Sequence, residues 1–224
     1  DIGGGSTELA LIDEYTVSNT LSLELGTVRL KELFFDNNDI DGAIAYIDDK
    51  LAVLGTLNSS TLIGIGGTFR ALISSMMNHS EYPLNKLHAY ECPVENFVKY
   101  IDLILLADNT ELKQLGIKAN RFDIIKPGTL ILQRLFTKLS IQKVITSGVG
   151  VREGVYLTDL LRNQKDKFPH NYNTSIRYII DSHIPDTQFS NQIADVSKRL
   201  FDLTAEHLNI DKIHKVVIYH LYKL

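Results

Sequence analysis

Leu9, Ala10, Leu11 and Ile12 are apolar on both parities, which predicts a strand from Thr7 to Asp13 covered on both faces, with Glu8 as its one acidic interruption. Tyr15 to Leu25 alternates more loosely and predicts a second strand, antiparallel to the first in a hairpin. Gly26 and Thr27 then introduce a short helix ending near Phe35. The Asp36-Asn37-Asn38-Asp39 cluster breaks that helix and offers an N-cap to the next, in which Ile40, Ala43, Ile44, Ile47, Leu51 and Leu54 follow helical spacing up to Gly55. Thr61 to Gly67 predicts a buried strand ending in a glycine turn, with Thr68 capping a helix that carries Phe69, Ala71, Leu72 and Ile73. The pattern returns as a strand over Gln142–Thr146, a turn at Ser147-Gly148-Val149-Gly150, and a helix from Val151 with Val155, Leu157 and Leu161 available for packing. Between these units, helices are predicted over Pro93–Ala107, with the proline in the first turn, and over Pro127–Leu139.

Strands alternating with helices indicate an α/β class, and the opening hairpin indicates a mixed sheet. After Leu161 the character changes. Residues 162–171 are polar and read as a linker, and beyond them only helix signals remain, over 174–182, 188–208 and 211–224. Ile193, Val196, Leu200, Leu203 and Leu208 form an apolar stripe on the second of these. The expected organisation is an α/β lobe at 1–162 followed by an incomplete α-helical region at 163–224, small for an independent core.

Composition narrows the partners. The net charge of −4 and pI near 6.0 exclude a broad basic surface for duplex DNA or anionic lipid, so a polyanionic ligand needs a local pocket. The single cysteine, Cys92, excludes an internal disulfide framework and gives no zinc-site spacing, which fits a reducing cytoplasm. No apolar run approaches the roughly 18 residues of a membrane span. A soluble protein is expected, and its start without methionine suggests that residues precede Asp1.

The candidate chemistry lies in three glycine turns, at Gly3–Gly5, Gly64–Gly67 and Gly148–Gly150, each after a strand-like segment and two of them opening helices. Glycines let backbone N–H groups converge into an anion nest, and helix N-termini favour negative charge. The latter two turns equally suit close strand-to-helix packing. Neither GxGxxG nor GxxxxGK[ST] occurs. Glu8, in an otherwise apolar strand, calls for a metal or an arginine partner if buried.

Four ordered segments carry a family resemblance. Asp1-Ile2-Gly3-Gly4-Gly5-Ser6-Thr7-Glu8-Leu9 resembles the second phosphate motif of the exopolyphosphatase and guanosine pentaphosphate phosphohydrolase (Ppx/GppA) family, within the actin, Hsp70 and sugar-kinase superfold. The segments 64–72, Arg121-Phe122-Asp123-Ile124-Ile125-Lys126-Pro127-Gly128 and 146–154 resemble its second glycine segment, its Arg-x-Asp-x-Ile-x-x-Gly stretch and its Ser-Gly-x-Gly-x-Arg-Glu-Gly turn.

The resemblance implies an actin-like ATPase (ribonuclease H-like) lobe in which Asp1 and Glu8 hold a divalent cation, expected to be magnesium, and position the attacking water. It implies that Gly3, Gly4, Gly5, Ser6 and Thr7 cradle phosphate, with Gly66, Gly67 and Thr68 contributing from the second segment. Arg121 and Asp123 are expected to pair and fasten the following helix, and Arg152 and Glu153 to brace the last turn. His170 and His183 have no ligand partners at useful spacing and read as surface residues. Family members also carry an earlier lobe with an Asp-x-Gly-Ser loop and a general-base glutamate, neither matched in these 224 residues, so the isolated chain is expected to show little turnover. The implied partner is polyphosphate or guanosine pentaphosphate, without nucleic acid or membrane and with homodimerisation open. An actin-like small-molecule kinase and a noncatalytic phosphate-binding or alarmone-binding module stand as the alternatives.

Overall fold

The computed structural model describes residues 1–13, 16–55, 57, 59–165, 168, 187–205 and 207. Strands β1 (Thr7–Asp13) and β2 (Thr16–Leu23) pair antiparallel from Thr7↔Leu23 to Asp13↔Thr16, with a register shift between Leu11 and Ile12. They form a separate two-stranded sheet. Their apolar run is not covered on both faces as its pattern predicts: Ala10 is exposed and Ile12 is 54% exposed, because only the Leu9 and Leu21 side of the ribbon packs on the core.

The mixed sheet lies elsewhere, in the order β3 (Thr61–Gly64), β5 (Lys143–Thr146), β4 (Glu91–Pro93). β3 and β5 run parallel from Thr61↔Lys143 to Gly64↔Thr146, so both glycine turns leave the same end of the sheet. β4 pairs antiparallel to β5 and is too short for periodicity to reveal it.

Helices α1 (Thr27–Leu33), α2 (Ile40–Leu51), α3 (Gly66–His79) and α4 (Val94–Leu106) follow the sequence pattern closely. Asp39 caps α2 by accepting from the Gly42 N–H at 2.9 Å. Helix α5 (Asn109–Gln114) begins at a capping box in which Asp108 and Glu111 each satisfy the other's backbone.

Helix α6 (Phe122–Lys138) begins five residues before Pro127, where a start had been expected. Proline removes one helical N–H donor. The helix continues through it because Ile125, Pro127, Leu130, Ile131, Leu132 and Leu135 are all buried, at roughly 1.5–3 kcal/mol for each large apolar side chain. Phe97 of α4 sits at the centre, 5.4 Å from the Phe69 ring and 5.8 Å from Phe136. A Cβ at Gly128 would stand 2.4 Å from Thr68 Cγ2 and 3.0 Å from Thr27 Cγ2. Gly128 is therefore the notch through which α1, α3 and α6 pack together.

The chain divides within helix α7 (Val151–Leu161) into Asp1–Tyr156 and Leu157–Leu224. In the second unit, helix α8 (Thr187–Thr204) buries Ala194 and Phe201, whereas Val196, Leu200 and Leu203 of the predicted stripe are exposed. The helices predicted over 174–182 and 211–224, and His170, His183 and Leu208, lie outside the described residues. Among the described residues no helix is long and apolar enough to cross a membrane.

Candidate functional site

Asp1 and Glu8 exchange both backbone hydrogen bonds: the Asp1 nitrogen donates to Glu8 O at 2.8 Å, and Glu8 N–H donates to Asp1 O at 2.9 Å. Directly opposed residues of such a pair project from the same face, so the two carboxylates emerge side by side. Between them the chain reverses through Gly3–Ser6, closed by Gly3 N–H donating to Ser6 O at 2.9 Å.

This reversal is held from behind by α1. Thr27 N–H donates to Gly3 O at 2.9 Å, and Val28 and Arg29 N–H both donate to Gly4 O, at 2.9 and 3.2 Å. The approach needs glycine at 26, where a Cβ would come within 2.3 Å of Gly4 O. With the loop carbonyls turned toward α1, the N–H groups of Gly4, Gly5 and Ser6 donate to no described group. They are donors of the kind from which an anion nest is built, in the turn between the two carboxylates.

Glu8 is exposed, so the cost of burial that singled it out in the sequence does not arise. It is positioned by hydroxyls, with Ser6 Oγ donating to Oε1 at 2.5 Å and Ser22 Oγ at 3.3 Å.

The second and third turns close on the first. A Cβ at Gly66, which has φ +88°, would lie 2.0 Å from Asp1 Oδ1, so Asp1 rests against the first turn of α3. Arg70 joins the other two loops, its Nε donating to Gly66 O at 3.1 Å and its Nη1 to Gly148 O at 3.3 Å. Ser147 N–H donates to Gly64 O at 2.9 Å. Glu153 accepts from Gly150 N–H at 2.7 Å, which holds its carboxyl below the usual range. His88 Nδ1 accepts from Gly148 N–H at 3.1 Å; burial, aided by Lys86, lowers its pKa from 6.5.

Three residues depart from their expected roles. Thr68 does not cap α3, which begins at Gly66 with Ile65 in the cap position; it is buried, and its hydroxyl donates to Ile2 O at 3.4 Å. Arg121 makes no ion pair with Asp123. Its guanidinium instead crosses Gly67, where a Cβ would stand 2.9 Å from Nη2, and it bonds no described group. Thr7 is also buried and donates to Leu25 O at 2.5 Å, clasping β1 to the start of α1.

Asp1, Gly3–Ser6, Glu8, Gly66 and Gly67 thus gather at one place, with Arg70 and Arg121 as cations that sequence reasoning had not assigned to it. Among the described residues no group of three or more His, Cys, Asp or Glu could hold a metal unaided. Two neighbouring carboxylates suit a hard cation such as magnesium, which takes its other oxygens from phosphate and water.

The Ppx/GppA phosphatase family pattern matches residues 1–163, which include every residue of this site. The chain belongs to the Ppx/GppA phosphatase family. It is 28% identical over 158 residues to a bifunctional 3-dehydroquinate synthase/phosphatase of Fusobacterium nucleatum, covering 66% of this chain and 24% of that protein. It is 26% identical over 223 residues to a guanosine-5'-triphosphate,3'-diphosphate pyrophosphatase of Pseudoalteromonas atlantica, covering 95% of this chain and 42% of the relative. The crystal structure of the Aquifex aeolicus Ppx/GppA family member superposes with a TM-score of 0.62 at 25% identity, over 72% of this chain and 55% of that one. The chain therefore spans about half or less of each, with the actin-like fold of the Ppx/GppA proteins.

Proposed function

We propose that the protein is a phosphoanhydride hydrolase that releases the terminal phosphate of inorganic polyphosphate or guanosine pentaphosphate by attack of water. The observation that carries this reading is the glycine loop, with the Gly3 and Gly4 carbonyls held by α1 and the N–H groups of Gly4, Gly5 and Ser6 without a partner among the described residues, between Asp1 and Glu8. Phosphoryl transfer depends on positioning and charge neutralisation, and this arrangement supplies both.

In this reading the nest and the Arg121 guanidinium hold the terminal phosphate oxygens. Asp1 and Glu8 hold magnesium, which neutralises phosphate charge when bound. Ser6 and Ser22 fix the Glu8 carboxylate through hydroxyl donors, and Arg70 keeps the second and third loops in register. The polyphosphate and nucleotide substrates rest on membership of the Ppx/GppA family and on a relative named for guanosine-5'-triphosphate,3'-diphosphate.

Magnesium-dependent binding of tripolyphosphate by this chain, together with phosphate release from polyphosphate and guanosine pentaphosphate by the full-length protein, tests the reading. Glu8→Gln is expected to abolish release and to weaken the magnesium dependence of binding. Unchanged release in that variant overturns the role of Glu8.

A further inference from the structure

The segment that enters β4 delivers His88 to the third glycine loop. Ala89 N–H donates to Thr146 O and Thr146 N–H donates to Tyr90 O, both at 2.8 Å, so the two residues after His88 are stitched to the end of β5. Ala89 takes φ +62°, a left-handed conformation that an alanine holds only where its surroundings fix it. Tyr82 packs edge-on against Tyr90, with ring centroids 4.9 Å apart. This corner presses His88 onto Gly148, where a Cβ would stand 2.8 Å from the His88 Cβ and 3.4 Å from its backbone.

From that corner a line of contacts runs to the carboxylates of the first loop. His88 Nδ1 accepts from Gly148 N–H at 3.1 Å, which it can do only without a proton of its own. Holding that N–H also orients the Gly148 carbonyl, since glycine dihedrals would otherwise let the two peptide groups turn. The carbonyl accepts from Arg70 Nη1 at 3.3 Å, and Arg70 Nε donates to Gly66 O at 3.1 Å. Gly66 is the residue against which Asp1 Oδ1 rests.

A proton on Nδ1 would set two N–H groups against each other and place an imidazolium in a cationic setting. Lys86 stands on the same segment, Arg70 on α3 and Arg152 in the first turn of α7. The carboxylate of that turn, Glu153, is engaged by Gly150 N–H at 2.7 Å, while Glu91 of β4 and Lys143 of β5 pair with each other at 3.3 Å. Burial of the ring and the charge of Lys86 both favour its neutral form.

We infer that His88 is a positioning residue for the cation site: its bare Nδ1 sets the third loop, and that loop, through Arg70, sets the seat of Asp1. Protonation of His88 and binding at the first loop then oppose each other. Affinity is complete above the folded-state pKa of His88, which lies below 6.5, and falls as pH drops through it. The inference rests on the reading of Asp1 and Glu8 as holding magnesium beside the phosphate, and adds a proton-sensitive support to that site.

Calorimetric titration with tripolyphosphate in magnesium, at pH 7.5 and pH 5, tests it on the unaltered chain, His88→Asn and His88→Ala. Asparagine places Oδ1 where the ring places Nδ1 and accepts at either pH. His88→Asn is expected to match the unaltered chain at pH 7.5 and to bind about three- to tenfold more tightly than it at pH 5, a coupling of up to one pKa unit. Titration of the ligand and of the carboxylates is common to both proteins and cancels in that ratio. His88→Ala is expected to bind more weakly than His88→Asn at both pH values. The same ratio of unaltered chain to His88→Asn at the two pH values overturns the inference, as does His88→Ala binding as tightly as His88→Asn. If none of the three proteins binds tripolyphosphate, the phosphate reading of the first loop fails and the role of His88 with it; binding that is indifferent to residue 88 removes the positioning role alone.

Discussion

Asp1 Oδ1 occupies the space that a side chain at Gly66 would need, 2.0 Å from the ideal Cβ position. Gly66→Ala must therefore move the Asp1 carboxylate away from Glu8 as well as adopt φ +88° with a Cβ. The expected outcome is loss of magnesium-dependent tripolyphosphate binding, with a stability loss of about 1–2 kcal/mol in urea unfolding. Wild-type binding in that variant would show that Asp1 is not part of the cation site.

Arg121 is expected to behave as a binding residue rather than a structural one. Because its guanidinium crosses Gly67 without an ion-pair partner among the described residues, Arg121→Ala should leave unfolding by urea within about 0.5 kcal/mol of wild type and weaken tripolyphosphate binding about tenfold or more. Arg121→Lys should recover only part of the affinity, since an ammonium lacks the planar fork. A large stability loss without a change in affinity would return Arg121 to a structural role.

Arg70→Ala should show the opposite balance at the clamp between the loops. Losing donors to Gly66 O and Gly148 O leaves two carbonyls without their charged partner, a cost of about 1–3 kcal/mol. Thermal or urea unfolding measures it, and Arg70→Gln should be intermediate.

The third loop should respond to acid through His88. Its imidazole accepts from Gly148 N–H, which requires an unprotonated Nδ1, and burial beside Lys86 lowers its pKa below 6.5. Above 6.5 both folded and unfolded forms are neutral, and the contribution to stability is complete. As pH falls below 6.5 the unfolded chain takes up the proton first, so stability declines until the folded-state pKa is passed. Urea unfolding between pH 7.5 and pH 5 checks this: the decline should be smaller in His88→Gln. An identical decline in the two proteins would assign it to other groups.

The glycine segments were legible in the sequence because each combined a strand, a turn and a helix start, and the structure places Gly3–Ser6 and Gly66–Gly67 together accordingly. Less legible were the directions of side chains next to them. Thr7 and Thr68 carry hydroxyls suited to phosphate, yet both are buried and donate to carbonyls, because alternation along β1 and the early start of α3 turn them inward. Arg121 stands two residues before Asp123, a spacing that suggested a local pair. Its guanidinium reaches Gly67 instead, a contact 54 positions away that local spacing cannot express. The three-residue strand β4 lay below the length at which alternation is detectable.

The notch at Gly128 couples the interior to the cleft. Thr27 begins the helix whose amides hold the first glycine loop, Thr68 lies in the helix opened by the second, and both methyl groups meet over the same missing side chain. An alanine there would act as a wedge driven between two loops from behind, and the molecule would register a purely apolar change in its core as a mis-set spacing between the two glycine loops at its surface.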